Sequence, residues 1–247
     1  MKTVAEGSET AKKGFQNEEY VISKFNNWEQ DLDSQQWLQI MNYELEDIEY
    51  VKAEKIPGSY KADVQVQVSV KLKSCIDTEN LQVKLVSNKN GFNQIDKRWV
   101  DKYIELWNIP KDISLLLKQY TGEILPLHTT RDKRRMFADE FIESEQKRLI
   151  TWIEENKIMI VSDILKGRGR FAAEWLLVIR KTNDSNEWVL KPINETINFF
   201  GNGKVLITPR GNISIGKITM QRKGVDGGRK TAKMLQFKIN PSELFNI

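Results

Sequence analysis

The run DVQVQVSV, residues 63–70, constrains the fold most. Asp63, Gln65, Gln67 and Ser69 alternate with Val64, Val66, Val68 and Val70. A strict period of two puts successive side chains on opposite faces of a strand, and β-branched valines favour that conformation. Such a run needs a sheet with one apolar and one polar face. Pro57, Gly58 and Ser59 mark a turn before it, and KSCIDTEN reads as the loop after it. NLQVKLV then alternates again, with Leu81, Val83 and Leu85 on one face and Gln82 and Lys84 on the other. Paired as a hairpin, the two runs superpose their polar faces, and Asp63, Gln82 and Lys84 converge.

An acid, a second oxygen donor and a lysine two residues on suit phosphodiester hydrolysis assisted by a divalent cation. The carboxylate binds a hard cation through oxygen. The cation polarises the phosphoryl oxygen and acidifies a bound water. The ammonium group positions that water and offsets charge building on phosphorus. On spacing alone the same three residues read more readily as the exposed polar face of an edge hairpin.

The other periodicities fill out an α/β chain. Residues 10–28 predict a helix with Phe15, Ile22 and Phe25 on one face. Glu18 falls on that stripe and needs a cation, a metal ion or the helix edge as its partner. Residues 36–50 predict a second, acidic helix. Helices are expected over 94–108, with a stripe of Trp99, Tyr103, Leu106 and Trp107, and over 111–120. Residues 129–157 predict one long helix or two, starting at Thr130 or Asp132. IMIVSDI reads as a short apolar strand or helix edge. EWLLVIRK and EWVLKPI, joined by TNDSNE, predict a hairpin; VLITPR, ISIGKITMQRK and KMLQFKIN predict three more strands. No internal repeat or low-complexity linker divides the chain.

Charge separates the two ends. Residues 1–50 hold 4 basic and 11 acidic side chains, whereas residues 201–247 hold 9 basic and 2 acidic. A basic, glycine-rich segment is an electrostatic footprint for phosphate, although a solvated basic face has the same composition. One cysteine and one histidine exclude a disulfide scaffold, a Cys-cluster zinc site and an HExxH site. No apolar run approaches the ~18 residues of a membrane span. MKTVAEGSETAKKGF holds no apolar leader. A soluble, cytoplasmic protein without a membrane partner is expected.

Longer segments add a resemblance. GSETAKKGFQNE, LQVKLVSNKNGFNQIDKRW, RDKRRMFADEF, DILKGRGRFAAEW and ITMQRKGVDGGRKTAKMLQFKINPSELFNI run in this order from about Gly7 to Ile247. Together they closely resemble the HinP-type type II restriction endonucleases of the PD-(D/E)XK nuclease superfamily. The resemblance implies an α/β restriction-endonuclease-like core, a central mixed sheet flanked by helices, and a basic β-rich C-terminal region. It implies a single domain over 1–247, with a catalytic core about 1–160 and a DNA-recognition region about 161–247. It further implies Mg²⁺-dependent cleavage of double-stranded DNA at the palindrome GCGC, leaving 5′-phosphate and 3′-hydroxyl ends. Two copies would act on the two strands as a homodimer on or off DNA. A cognate DNA methyltransferase would be the system partner, without direct contact, in a bacterial cytoplasm.

Site roles follow from the same resemblance. The family's Asp and Gln-x-Lys fall on Asp63 and Gln82-Val83-Lys84. Asp63 and Gln82 would hold the metal, the Val83 carbonyl would be a further ligand, and Lys84 would orient the water. Gln82 stands where the superfamily more often has an acid, which implies weaker metal affinity. Ala62 stands where the superfamily often has Pro and the family Ser. Val225 stands where Gly is expected, and Val resists positive φ. Glu18 becomes a candidate metal ligand borrowed from the helix beside the sheet.

For base reading, Thr219, Gln221 and Lys223 share one face of ISIGKITMQRK. Lys223 suits guanine O6 and N7, Gln221 suits several base edges, and Arg222 is assigned to the DNA backbone. Asn93, Gln94 and Lys97, in the loop after the catalytic strand, are expected at the groove, with Gln94 a wedge between base steps. Lys166-Gly167-Arg168-Gly169-Arg170 reads as a phosphate clamp around Arg168 or as a plain basic turn. His128 reads as a loop or capping residue. Two rival readings are a repair or nicking nuclease of the superfamily and a sequence-specific DNA-binding protein with a dead site.

Overall fold

A computed structural model describes residues 16–56, 65–86, 90–126, 130–181, 186–224 and 229–247. Ala62, Asp63, His128 and Val225 lie outside the described residues. The helices are α1 (residues 16–26), α2 (Leu32–Ile40), α3 (Val100–Trp107), α4 (Lys111–Thr121), α5 (Glu143–Glu155), α6 (Lys157–Leu165) and α7 (Ile193–Gly201). The strands are β1 (Ile48–Lys55), β2 (Gln65–Leu72), β3 (Ile76–Val86), β4 (Asn93–Arg98), β5 (Trp175–Lys181), β6 (Asn186–Pro192), β7 (Val205–Ile207), β8 (Ile213–Ile215), β9 (Ile218–Arg222) and β10 (Leu235–Ile239). The described residues form two units, one of residues 16–56, 65–86, 90–93, 166–181, 186–196 and 240–247, the other of residues 94–126, 130–165, 197–224 and 229–239.

The first unit holds a mixed sheet in the order β1-β2-β3-β5-β6. β1, β2 and β3 form an antiparallel meander, and Gln65 faces Gln82 at its far end. β3 then runs parallel to β5, pairing Leu81 with Trp175, 94 residues on. β5 and β6 close the sheet as the expected antiparallel hairpin. The alternation of β2 survives in three dimensions: Val66, Val68 and Val70 are buried, while Gln67 and Ser69 are half-buried. Those valines join Leu81, Val83, Leu177 and Ile179 on one face, covered by Val21 and Phe25 of α1 and by Trp37 and Leu38 of α2. The Trp37 ring meets Phe25 at 5.2 Å and Trp188 edge-on at 5.7 Å. Each such apolar side chain contributes about 1.5–3 kcal/mol on burial.

The second unit is built on a sheet ordered β4-β10-β9-β8-β7. Its apolar face comprises Ile213, Ile215, Ile218, Met220, Leu235, Phe237 and Ile239. Tyr103 and Trp107 of α3 stack at 4.5 Å, and both meet Phe237 edge-on. The Tyr120 hydroxyl of α4 donates to the Met220 carbonyl at 3.0 Å, inside the same core. α4 ends at Gly122, where φ is +79° and a Cβ would run into the Arg134 carbonyl.

Several predicted elements are corrected. α2 stops at Ile40 because Asn42 adopts φ 68°, and the acidic stretch then becomes β1, with Val51 and Ala53 turned inward. Residues 93–98 form a strand, neither loop nor helix, so Asn93, Gln94 and Lys97 sit on β4. Within 130–157 only residues 143–155 and the first residue of α6 are helical in the α sense. IMIVSDI is part of helix α6, which buries Ile160, Val161, Ile164 and Leu165. ISIGKITMQRK breaks into β8 and β9 at Gly216, φ +58°. α7 has no counterpart in the sequence reading. β5 and β6, beyond residue 160, belong to the sheet of β3 and not to the C-terminal strands. Among the described residues no helix is long and apolar enough to cross a membrane.

Candidate active site and nucleic-acid interface

β3 carries Asn80, Gln82 and Lys84 on the face opposite Leu81 and Val83. Their relative exposures are 5%, 0% and 6%. On the β5 side, Gln82 is paired with Leu176 and Lys84 with Val178, both fully buried. This is the middle of a sheet, not the exposed polar face of an edge hairpin. Neither amide atom of Gln82 has a hydrogen-bond partner among the described residues. A buried amide left unsatisfied costs about 1–3 kcal/mol, and such groups are rare in folded proteins.

Asn80, two residues earlier, is the opposite case. Its Nδ2 donates to the Arg170 and Ala172 carbonyls at 3.0 and 3.3 Å, and its Oδ1 accepts from Gln67 Nε2 at 3.1 Å. On the other face, Glu79 accepts from the Tyr43 hydroxyl at 2.9 Å and from Trp175 Nε1 at 2.8 Å. Burial, with Glu79 close by, holds the Glu174 carboxyl above the usual range, although the Asn80 N–H donates to it. Asn93 donates from Nδ2 to the Leu85 carbonyl at 2.9 Å, which ties the chain after β3 back to that strand.

Glu18 is buried on α1, on the stripe of Val21 and Phe25, which packs on the sheet face away from Gln82 and Lys84. Its Oε2 lies 2.9 Å from Lys55 Nζ, so of the three partners the sequence left open, a cation is present. Val83 turns its side chain into the core, leaving only its carbonyl as a donor. No three His, Cys, Asp or Glu side chains cluster for a metal among the described residues. The Gln82 amide oxygen, unpartnered among the described residues, is nonetheless a hard, neutral donor of the kind a divalent cation accepts once a carboxylate joins it.

The second unit gathers a polar sheet face of its own. In the β9/β10 ladder, Thr219 faces Lys238 and Gln221 faces Gln236, and Lys223 follows on the same side. Gln236 is 5% exposed; its Nε2 donates to Gln94 Oε1 at 2.6 Å, and its own Oε1 has no partner among the described residues. Gln94 thus joins the face that holds Gln221, while Lys97 lies three positions further along β4. Gln236 and Lys238 escaped the sequence reading, yet the alternation of KMLQFKIN places them opposite Leu235, Phe237 and Ile239.

Arg222 points the other way. Its Nε donates to the Ala232 carbonyl at 3.0 Å, and its guanidinium lies 3.8 Å from Asp132. Burial and the nearby Arg135 lower its pKa. Asp132 is held below the usual carboxylate range by its hydrogen bonds to Arg134. Arg222 therefore braces the Asp132 turn.

Residues 41–245 match the family of the R.HinP1I restriction endonuclease, which is most of the chain. The chain belongs to the R.HinP1I restriction endonuclease family. It is a type II restriction endonuclease, a site-specific deoxyribonuclease. Glu18 lies before the span matched to the R.HinP1I family, whereas Gln82, Lys84 and the β9/β10 face lie within it. The fold agrees: the crystal structure of restriction endonuclease MspI in complex with its cognate DNA is similar, with a TM-score of 0.65 and 16% identity. That likeness covers 96% of this chain and 93% of that chain. No match was found among curated proteins. The expected α/β class, with a mixed central sheet flanked by helices, holds. DNA is the partner, and R.HinP1I-type enzymes generally use divalent metal ions.

Proposed function

We propose that this endonuclease cuts both strands of double-stranded DNA at GCGC by Mg²⁺-dependent hydrolysis, with Asp63, Gln82 and Lys84 as catalytic residues. The observation that carries the reading is the buried Gln82 amide, without a hydrogen-bond partner among the described residues, beside the buried Lys84 on a central strand. Asp63 lies two residues before Gln65. Gln65 itself faces Gln82 in the β2/β3 ladder. Asp63 and the Gln82 amide oxygen, with the Val83 carbonyl, would hold the ion. Mg²⁺, when bound, polarises the phosphoryl oxygen and acidifies a water. Lys84 orients that water for in-line attack and offsets charge on the phosphate. The products are a 5′-phosphate and a 3′-hydroxyl. Glu18 is left out of the ligand set because Lys55 already engages its carboxylate.

Recognition falls to the β9/β10 face with Gln94. A site made only of G·C pairs presents guanine acceptors and cytosine N4 donors in the major groove. Lys223 donates to guanine, the amides of Gln221 and Gln94 supply donor and acceptor together, and Thr219 shares their face; Asn93 and Lys97 remain candidate DNA contacts outside that face. Arg168 holds backbone phosphate. The palindrome calls for two copies of the enzyme, a homodimer at least on DNA. In a bacterial cytoplasm a cognate methyltransferase protects the same sites.

Digestion of a plasmid of known sequence with Mg²⁺, followed by end sequencing, tests this. Every end should fall within GCGC and carry a 5′-phosphate. Scattered nicks would point to a repair nuclease, and intact plasmid to a DNA-binding protein with a dead site; either result defeats the proposal.

A further inference from the structure

We infer that Asn80 is a positioning residue: it sets the basic loop 166–170 against the active-site strand, so that Arg168 grips a DNA phosphate beside the one being cut. The inference rests on β3 being the catalytic strand.

Asn80 shares the polar face of Gln82, and the two positions are about 6.8 Å apart along an extended strand. Every polar group of Asn80 is used. Its side chain binds the Arg170 and Ala172 carbonyls and Gln67; its N–H donates to Glu174 Oε2 at 2.8 Å, and its C=O accepts from the Glu174 N–H at 2.8 Å. Four of these five bonds run from one buried residue of β3 to residues 170–174.

The loop is itself preformed. Gly167 and Gly169 take φ +79° and +75°, which side chains rarely adopt. Ala173 N–H donates to the Lys166 carbonyl at 2.7 Å, and Ala172 N–H to the Gly169 carbonyl at 2.9 Å. Carbonyls 170 and 172 are turned in to Asn80, and the exposed residues are Arg168, Gly169 and Arg170. The Arg170 guanidinium lies 4.4 Å over the Phe171 ring, which steadies it at the loop end. Lys166, Arg168 and Arg170 give three cations in five residues, with no acid before Glu174. A rigid, cationic loop one pleat from the catalytic amide suits an anion that arrives with the substrate, and on DNA that anion is a neighbouring phosphate.

The test is a double-mutant cycle of Asn80→Ala and Arg168→Ala in the full-length enzyme. The readouts are KM, kcat and the salt dependence of DNA binding. Arg168→Ala should lower the slope of log K against log salt by about one. Asn80→Ala should reproduce that flattening and raise KM about tenfold, with the loss in KM rather than kcat, and the double variant should be no worse than the poorer single variant. Should Asn80→Ala fail to fold, Asn80→Asp keeps the acceptor for Gln67, loses the donor to the loop carbonyls, and should give the same coupling. An unchanged slope in Arg168→Ala, or losses that multiply independently, overturns the inference while leaving the catalytic reading intact. Failure of that reading would be seen separately, as cleavage that survives loss of Lys84.

Discussion

At the residue scale, Gln82 is the costly member of the proposed site, since neither of its amide atoms has a partner among the described residues. A leucine at that position would bury as well beside Leu176 and carry no amide to satisfy. Gln82→Leu should therefore raise unfolding free energy in urea by about 1 kcal/mol and abolish cleavage. A fall in stability would mean that the amide is satisfied in the folded protein and is no poised ligand. Arg222 makes the contrasting case. In sequence it is one more cation beside Lys223, but its guanidinium is committed to Ala232 and Asp132. Charge is readable from sequence, whereas commitment to a partner 90 residues away is not.

At the scale of elements, what the sequence made legible is what local periodicity controls. β2, β3 and β9 alternate in their own residues, so their faces follow from the sequence alone. The central position of β3 was not legible, because the parallel pairing to β5 joins distant segments. β4 was misread because its buried carboxylate, Asp96, is satisfied by the Tyr103 hydroxyl at 2.6 Å and by Arg98, a solution no strand period announces. α6 was ambiguous because a short apolar run fits either element; its helix is betrayed only by burial of Ile160, Val161, Ile164 and Leu165 with Ile158 left exposed. The β9/β10 face yields a prediction of its own. Lys223→Ala should cost about 1–3 kcal/mol in specific binding and blur discrimination between GCGC and its single-base variants. Competition binding with those variants measures it, and unchanged discrimination would remove Lys223 from the reading face.

At the scale of the whole molecule, the chain builds two sheets from interleaved segments, so a single cut in the sequence does not separate them. The unit with β3 holds the buried Gln82 and Lys84, and the other holds the polar ladder of Thr219, Gln221, Gln236 and Lys238. The family match spans both, as a site-specific nuclease requires. Lys84, buried in the middle of a sheet, is proposed to serve hydrolysis. The most direct measurement is Lys84→Ala, assayed for cleavage of a GCGC plasmid with Mg²⁺ and for binding to the same site without it. Cleavage should drop by at least about 10²–10³-fold while affinity changes little. Cleavage at the wild-type rate, or loss of cleavage and binding together in a protein that still folds, would contradict the account.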